Sequence, residues 1–354
     1  MLSKEEQVRY SKQVILPEVG MSGQEKLKSA KVLVIGAGGL GCPILQYICA
    51  AGVGTLGIAD GDKVDISNLQ RQVLYTQADI GLPKAEVAKS KLNILNNNTT
   101  IICYPYFINF DNALETISTY DIIVDGSDNF DTRYLVNDAC VMLDKPMVSG
   151  AIYKYEGQVS VFNYNGGPTY RCIFPEAPGA GESPNCADIG VIATLPGIIG
   201  TIQANEVIKM ITGIGEVLAG KLLVIDTLTM HSHSFNFKLV PANKNIKSLP
   251  QPATDCSSAI KNISYENLQK IVETTPTCQL VDVREVEEHI IGNIGGINIP
   301  LSGFEACISS LKKVAPVIVY CASGVRSMHA AKILQAKGFI EIMNLDKGVN
   351  GLLP

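Results

Sequence analysis

The sequence predicts an α/β protein in two units, a larger one built on a mostly parallel sheet and a smaller one behind it. Three observations carry this expectation. From Lys31 to about Val240, short apolar runs of strand length alternate with helical stretches. A glycine-rich turn joins the first run to the helical stretch that follows, and the alternation lapses over 241–258 before resuming. Regular succession of strand and helix marks parallel crossover units, since antiparallel neighbours need only a tight turn between them. A chain of 354 residues is also long enough to divide into two cores.

Taken in order, Met1 to Tyr10 is charged and holds no apolar stretch of signal-peptide length, so a cytoplasmic protein is expected. Val32 to Ile35, Thr55 to Ala59, Ile122 to Asp125 and Leu222 to Ile225 are the clearest strand runs, and Pro43 to Ala51 reads as the first crossover helix. Ile189 to Gly200 is the most apolar stretch. It is too short to span a bilayer and is interrupted by Pro196, which makes it the start of a buried helix. The segment PANKNIKSLPQPATDCSS loses apolar periodicity and gains Pro, Asn and Ser, as linkers do. The expected division is 1–240, a linker at 241–258, and 259–354. In the last part, Ile263 to Glu273 reads as a helix with Ser264 as N-cap, Leu280 to Val283 and Val317 to Tyr320 as strands, and Ser327 to Lys337 as a helix.

Composition narrows the function. A formal net charge of −5 offers no basic footprint for a polyanion, so nucleic acid is not an expected partner, nor is a membrane. The ten cysteines are scattered, with no close C-x-x-C pair and no secretory context, so reduced thiols are expected rather than disulfides.

The glycine turn reads Gly36-Ala37-Gly38-Gly39-Leu40-Gly41 between a strand and a helix. In that context glycines let backbone N–H groups and a helix N-terminus approach phosphate oxygens. Asp60 ends the next strand, where a carboxylate can accept from ribose hydroxyls. These residues serve NAD and ATP equally. Downstream, Asp62, Asn68, Arg71, Lys84 and Asp128 add polar and cationic groups that hydride transfer does not need. A carboxylate attacking the α-phosphate of ATP brings anion against anion, so cations must neutralise charge and a carboxylate must hold Mg²⁺. Arg71 and Lys84 suit the first task and Asp128 the second, although each taken singly is an ordinary surface group.

The stretches RYSKQVILPEVGMSGQEKL, GAGGLGCP, AAGVGTLGIADGDKVDISNLQRQ, DIGLPKAEVA, DGSDNFDTRYLVNDAC and GQVSVFNYNGGPTYRCIFP resemble the MoeB/ThiF/HesA family, relatives of ubiquitin-activating enzymes. The resemblance covers nearly all of the first 240 residues. It implies a Rossmann-like domain and a homodimer that adenylates the C-terminal Gly-Gly carboxylate of a ubiquitin-like sulfur carrier of the MoaD/ThiS type. Such chemistry serves molybdopterin or thiamine biosynthesis or tRNA thiolation. By position, the resemblance puts Gly38 and Gly39 in the phosphate loop, Asp60 on the ribose, Asn68, Arg71 and Lys84 on the phosphates, and Asp128 on Mg²⁺; Gly36, Gly41 and Asp62 are expected to bind the nucleotide with them.

Two departures from the family pattern stand out. Lys12 occupies the place of an arginine that reaches the neighbouring subunit's ATP site; lysine keeps the charge but loses the planar fork. Where many relatives carry two C-x-x-C pairs that bind zinc, this chain has Thr169 and Cys172, then residues near Asn243 and Ile246, so only Cys172 remains and no structural zinc is expected.

Cys186 stands in a Gly/Pro-rich stretch, EAPGAGESPNCAD. An exposed loop makes a thiol available, although a half-buried structural role is the usual fate of a single cysteine. The resemblance implies that it bonds to the activated carrier. Cys42, Cys49, Cys103 and Cys140 fall in helix or strand patterns and read as core.

In the tail, Cys321-Ala322-Ser323-Gly324-Val325-Arg326 forms a tight loop between a strand and a helix, suited to pointing N–H groups, the helix N-terminus and the Arg326 cation at one sulfur. Only four residues separate Cys321 from Arg326, one fewer than phosphatase loops use. LVDVREVEEHIIGNIGGINIP and VYCASGVRSMHAAKILQAKGF resemble a rhodanese domain, which implies a persulfide on Cys321 loaded by an upstream donor such as a cysteine desulfurase, with Asp282 and Arg284 structural. Three rival readings are an NAD-dependent oxidoreductase, a relative that adenylates a carboxylate on tRNA, and a non-catalytic carrier-docking protein.

Overall fold

The computed structural model describes residues 1–177, 190–249 and 260–349. They fall into two compact units, the first comprising 1–177 and 190–249 and the second 260–349.

The first unit is built on eight strands, β1 (Lys31–Ile35), β2 (Thr55–Ala59), β3 (Thr100–Tyr104), β4 (Ile122–Asp125), β5 (Met147–Tyr153), β6 (Glu156–Phe162), β7 (Lys221–Asp226) and β8 (Ser232–Asn236). Their order is β3-β2-β1-β4-β5-β6-β7-β8. Pairing is parallel from β3 to β5 and antiparallel from β5 to β8. Alternation along β1 explains why both faces are covered. Val32 and Val34 pack with Ile44, Ile48, Leu92 and Ile199, whereas Leu33 and Ile35 pack with Ile117, Val136 and Ala139.

The apolar stretch around Pro196 belongs to the helix Thr194–Thr212. It is apolar because it is clasped. A Cβ on Gly200 would lie 2.5 Å from Leu40 O, and one on Gly157 of β6 would lie 2.2 Å from Ile199 Cγ1. Among the described residues no helix is long and apolar enough to cross a membrane. Of the stretch read as linker, 241–249 packs on this unit: Pro241–Lys244 is a 3₁₀ turn, Lys244 Nζ donates to Asn163 Oδ1 at 2.5 Å, and Leu249 is buried.

The second unit is a five-stranded parallel sheet ordered β11-β10-β12-β13-β9, with β9 Lys261–Ile263, β10 Gln279–Asp282, β11 Ile297–Asn298, β12 Val317–Tyr320 and β13 Ile342–Leu345. Ser264 caps the helix Tyr265–Thr274 by accepting from Asn267 N–H at 3.3 Å. Several boundaries differ from the sequence reading by one or two residues, and two have a physical cause. Ile263 ends β9 rather than opening a helix, and the last long helix starts at Val325 because Gly324, at φ 87°, turns the chain into it.

A Cβ at Gly41 would stand 2.0 Å from the Gly36 carbonyl oxygen, so no side chain fits without moving backbone. Gly41→Ala is expected to cost at least about 3 kcal/mol in chemical denaturation of the first unit. A variant as stable as the parent would mean that the turn is looser than described.

Candidate functional site

The register levels Ile35 with Ala59 on one side and with Asp125 on the other, so Gly36, Asp60 and Gly126 emerge side by side at the carboxyl ends of β1, β2 and β4. This is the point where strand order reverses, the usual ligand crevice of such sheets. Gly36 has φ 90°, and a Cβ there would meet Gly126 O at 2.7 Å. Gly38 faces outward: among the described residues only the Gln72 amide comes within reach of a would-be Cβ, at 3.5 Å.

Asp60 is buried, and its carboxylate accepts the N–H of Ala37 and of Asp62, each at 2.7 Å. Burial pushes its pKa above the ordinary value, against those two hydrogen bonds and the Lys84 charge. Lys84 is also buried and bonds Asp62 Oδ2 at 3.0 Å. Arg71 lies beside Gly39, its Cδ 3.8 Å from the position of a Cβ there, and Nη1 donates to Ser67 O at 3.1 Å. The carbonyl of Asn68 takes the N–H of Arg71 and of Gln72. Asp128 is exposed, two residues beyond Gly126. Thus the structure brings together Gly36, Gly38, Gly39, Gly41, Asp60, Asp62, Arg71 and Lys84, and sets Asp128 on the adjoining strand end. Lys12 is exposed on the short helix Ser11–Val14, and among the described residues no hydrogen bond or ion pair links it to the turn. Cys186 lies outside the described residues.

Sequence reasoning passed over Gln72 and Tyr75. Gln72 is buried with Oε1 unpartnered, and Tyr75 donates its hydroxyl to Ala37 O at 2.7 Å, bracing the turn from below. The spacing of Gln72 from the glycines held no signal, because loop geometry brings them together. The open backbone at Gly38, the Gln72 Nε2 donor beside it and the nearby cations fit a nucleoside triphosphate, and the exposed Asp128 carboxylate fits Mg²⁺.

At the position matching the family's zinc pairs, Thr169, Cys172 and Asn243 do come together. Cys172 Sγ faces the N–H of Thr169 at 3.4 Å, that of Val240 at 3.3 Å and Asn243 Nδ2 at 3.7 Å. Burial opposes the thiolate, but these hydrogen bonds outweigh it and hold the pKa below the ordinary thiol value. One thiolate ringed by donors is not a zinc donor set. Of the cysteines read as core, Cys42, Cys49 and Cys140 are buried and Cys103 half-buried; burial pushes Cys42 up to about 12.

In the second unit, Cys321 is buried at the end of β12. Its Sγ receives the Gly324 N–H at 3.2 Å and the Ser327 O–H at 3.4 Å. Val349 N–H clamps the Cys321 carbonyl at 2.9 Å. Arg326, read as facing the sulfur, instead pairs with Glu288 through Nη1 and Nη2. That partner lies 38 residues earlier, too far for spacing to reveal. Beneath the loop, Asp282 accepts from Arg284 Nη2 at 2.7 Å and shares a hydrogen bond with His289 Nδ1 at 2.8 Å, as expected of a structural tie.

The geometry is that of a nucleotide-binding α/β domain joined to a thiol-bearing sulfur-transfer domain. The chain belongs to the ThiF family, whose model matches residues 10–248, and a rhodanese-like domain matches 264–353. It is 40% identical to the "Probable adenylyltransferase/sulfurtransferase MoeZ" of Mycobacterium tuberculosis over 98% of this chain and 93% of that one. It is 53% identical to the "Sulfur carrier protein adenylyltransferase" of Thermus thermophilus over 64% of this chain and 85% of that one. Among solved structures it is similar to E. coli MccB with MccA-N7isoASN, at 25% identity and a TM-score of 0.60 over 68% of this chain and 74% of that one.

Burial alone would raise the Asp282 pKa, but the hydrogen bonds from Arg284 and His289 and the Arg284 charge leave it below the ordinary carboxylate value. A depressed carboxylate stabilises the fold fully above its unfolded pKa of about 3.9, and that stability is lost as pH falls through the folded value. Asp282→Asn is expected to destabilise the second unit by roughly 3 kcal/mol near neutral pH and to flatten its loss of stability below about pH 4. Denaturant titrations at the two pH values check both; an unaltered acid limb would assign the dependence to other carboxylates.

Proposed function

We propose that the first unit adenylates the C-terminal glycine carboxylate of a ubiquitin-like sulfur carrier, and that a persulfide on Cys321 converts the activated carbonyl to a thiocarboxylate. One observation supports this above its rivals: a single chain joins a glycine turn at a strand-order switch point to a thiol held by N–H and O–H donors. The chain is an adenylyltransferase and sulfurtransferase that uses ATP, and a small protein is its partner. A hydride-transfer enzyme would have no use for the second thiol site, and a docking protein would have none for the cations around Gly39.

In this reading the glycine backbone and Asn68, Arg71 and Lys84 hold phosphate, Asp60 the ribose, and Asp62 orients Lys84. Asp128 holds Mg²⁺. Bound Mg·ATP supplies the electrophilic phosphorus and the pyrophosphate leaving group. Lys12 serves a second subunit of a homodimer as a point charge. Cys321, loaded by a donor such as a cysteine desulfurase, attacks the activated carbonyl through its outer sulfur and AMP leaves. Cys186 either takes the inner sulfur, freeing the thiocarboxylate and leaving a protein disulfide for a cellular thiol to reduce, or holds the carrier as a thioester after AMP has left. The protein acts in the cytoplasm and needs no structural zinc.

Carrier-dependent ATP–pyrophosphate exchange tests the first half. Asp128→Ala is expected to slow it at least about 100-fold. Exchange that ignores the carrier, or survives that change intact, overturns the assignment. Cys321→Ser should keep exchange and lose thiocarboxylate. Metal analysis of protein purified without added zinc should return far less than one equivalent.

A further inference from the structure

The Cys321 loop carries one cation, and the fold commits it elsewhere. Arg326 Nη1 donates to Glu288 Oε2 at 2.7 Å and Nη2 to Oε1 at 2.8 Å, a two-pronged pair engaging both carboxylate oxygens. Glu288 is held from behind as well. Its Oε2 accepts the Glu285 N–H at 3.1 Å, closing the cap of the helix Val286–Ile291, and Glu285 in turn takes the Ser302 hydroxyl at 3.3 Å. The Arg284 cation is taken up by Asp282. Among the described residues, Cys321 Sγ is met by uncharged donors, namely the Gly324 N–H and the Ser327 O–H.

A thiolate and a persulfide each carry a single negative charge, which neutral donors stabilise. Small oxyanionic sulfur donors such as thiosulfate carry two, and a guanidinium fork with its N–H groups turned to the ligand strengthens recognition of such an ion. Here the fork is turned to Glu288.

We propose that Glu288 is a specificity-determining residue of the sulfur-transfer loop: by holding Arg326 it withholds the fork from dianionic donors and reserves Cys321 for persulfide donors. This rests on the reading of Cys321 as the sulfur-carrying thiol. In the favoured reaction the Cys321 thiolate attacks the outer sulfur of the donor persulfide. A new S–S bond forms as the donor's breaks, the donor leaves as a thiolate, and no net oxidation occurs. With thiosulfate the same attack would expel sulfite, and the incoming dianion would lack the fork that Glu288 occupies.

The test measures sulfur loading of the full chain from thiosulfate and from cysteine persulfide, read after desalting as thiocyanate released by cyanide. Glu288→Gln keeps the shape and removes the charge. The ratio of kcat/KM values is expected to shift at least about tenfold toward thiosulfate, through a lower thiosulfate KM. Adding Arg326→Gln should cancel that gain. Equal losses with both donors would mark Glu288 as merely structural and overturn the proposal, as would an unchanged ratio. Should the amide disturb the fold, Glu288→Asp sets the carboxylate back by one methylene, loosens the fork and should move the ratio the same way; no shift there is equally fatal. A parent chain that takes sulfur from neither donor overturns the sulfurtransferase reading itself, an outcome distinct from a loaded parent with an unaltered variant.

Discussion

A buried parallel strand that ends in an active loop leaves little room over its last carbonyls, and here a glycine fills that room at each loop: Gly41 folds back on Gly36 within the first loop, whereas Gly348 comes to Cys321 from the chain beyond β13. A Cβ on Gly41 would lie 2.0 Å from Gly36 O, and one on Gly348 would lie 2.2 Å from Cys321 O. Neither distance admits a side chain. The first contact packs the helix Gly41–Ala50 tightly against the strand end and leaves the outward backbone at Gly38 uncovered. The second lets Val349 N–H reach the Cys321 carbonyl, while Gly324 at φ 87° turns its own N–H toward the sulfur. The chemistry proposed for each unit therefore depends on backbone closeness that precedes any functional side chain.

Beneath each loop sits a buried carboxylate that is fully engaged. Asp125 at the end of β4 accepts from Ser127 N–H at 3.0 Å, Ser127 Oγ at 2.6 Å, Ser149 Oγ at 3.0 Å and Arg133 Nε at 3.1 Å. Arg133 uses its remaining reach on the carbonyls of Ser127 and Gly150. These bonds fix the course of the chain from Asp125 to Ser127, so the position at which Asp128 leaves the sheet is set by a core network. Asp282 does the same in the second unit, joining β10 to the helix Val286–Ile291 through Arg284 and His289. A half-satisfied network in either place would cost more than an apolar core, so completeness matters more here than the number of ion pairs.

Much of this was legible in the sequence because it is local. Val317 to Tyr320 is a strand with the bounds its apolar run suggests, and Ser264 caps the helix it precedes. The strand, glycine turn and helix at residues 31–50 appear in that order. What stayed hidden is pairing at a distance. The strand β9 is three residues long, two of them polar, and exists because β13, some eighty residues later, pairs with it. The edge strand β8, SHSFN, is exposed throughout and so carries no apolar alternation to read. The nucleotide-side residues could be named one by one, but the bracing of the turn by Tyr75, and the seat of Gln72 beneath Gly38, arise from a loop whose path no periodicity encodes. Arg326 shows the same limit: its place on the helix is legible, whereas its pairing with Glu288, 38 residues earlier, is not.

The two units also treat positive charge in opposite ways, and the proposed chemistry explains why. Around the glycine turn, Arg71 spends a hydrogen bond on a neutral carbonyl, and Lys84 is buried with Asp62, whose carboxylate is more than half exposed. Arg71, bonded to a carbonyl rather than a carboxylate, retains reach toward a polyanion, where neutralisation is the central difficulty. At Cys321 the charge to be held is single and sits on a polarisable sulfur, so a free guanidinium would add affinity for competing oxyanions without helping transfer. Pairing Arg326 with Glu288 removes that competition while the N–H and O–H donors remain. Burial alone does not distinguish the thiols, since Cys321 is as buried as Cys42 and Cys140; desolvation pushes the latter two up, whereas the Cys321 sulfur has the Gly324 N–H and the Ser327 O–H beside it.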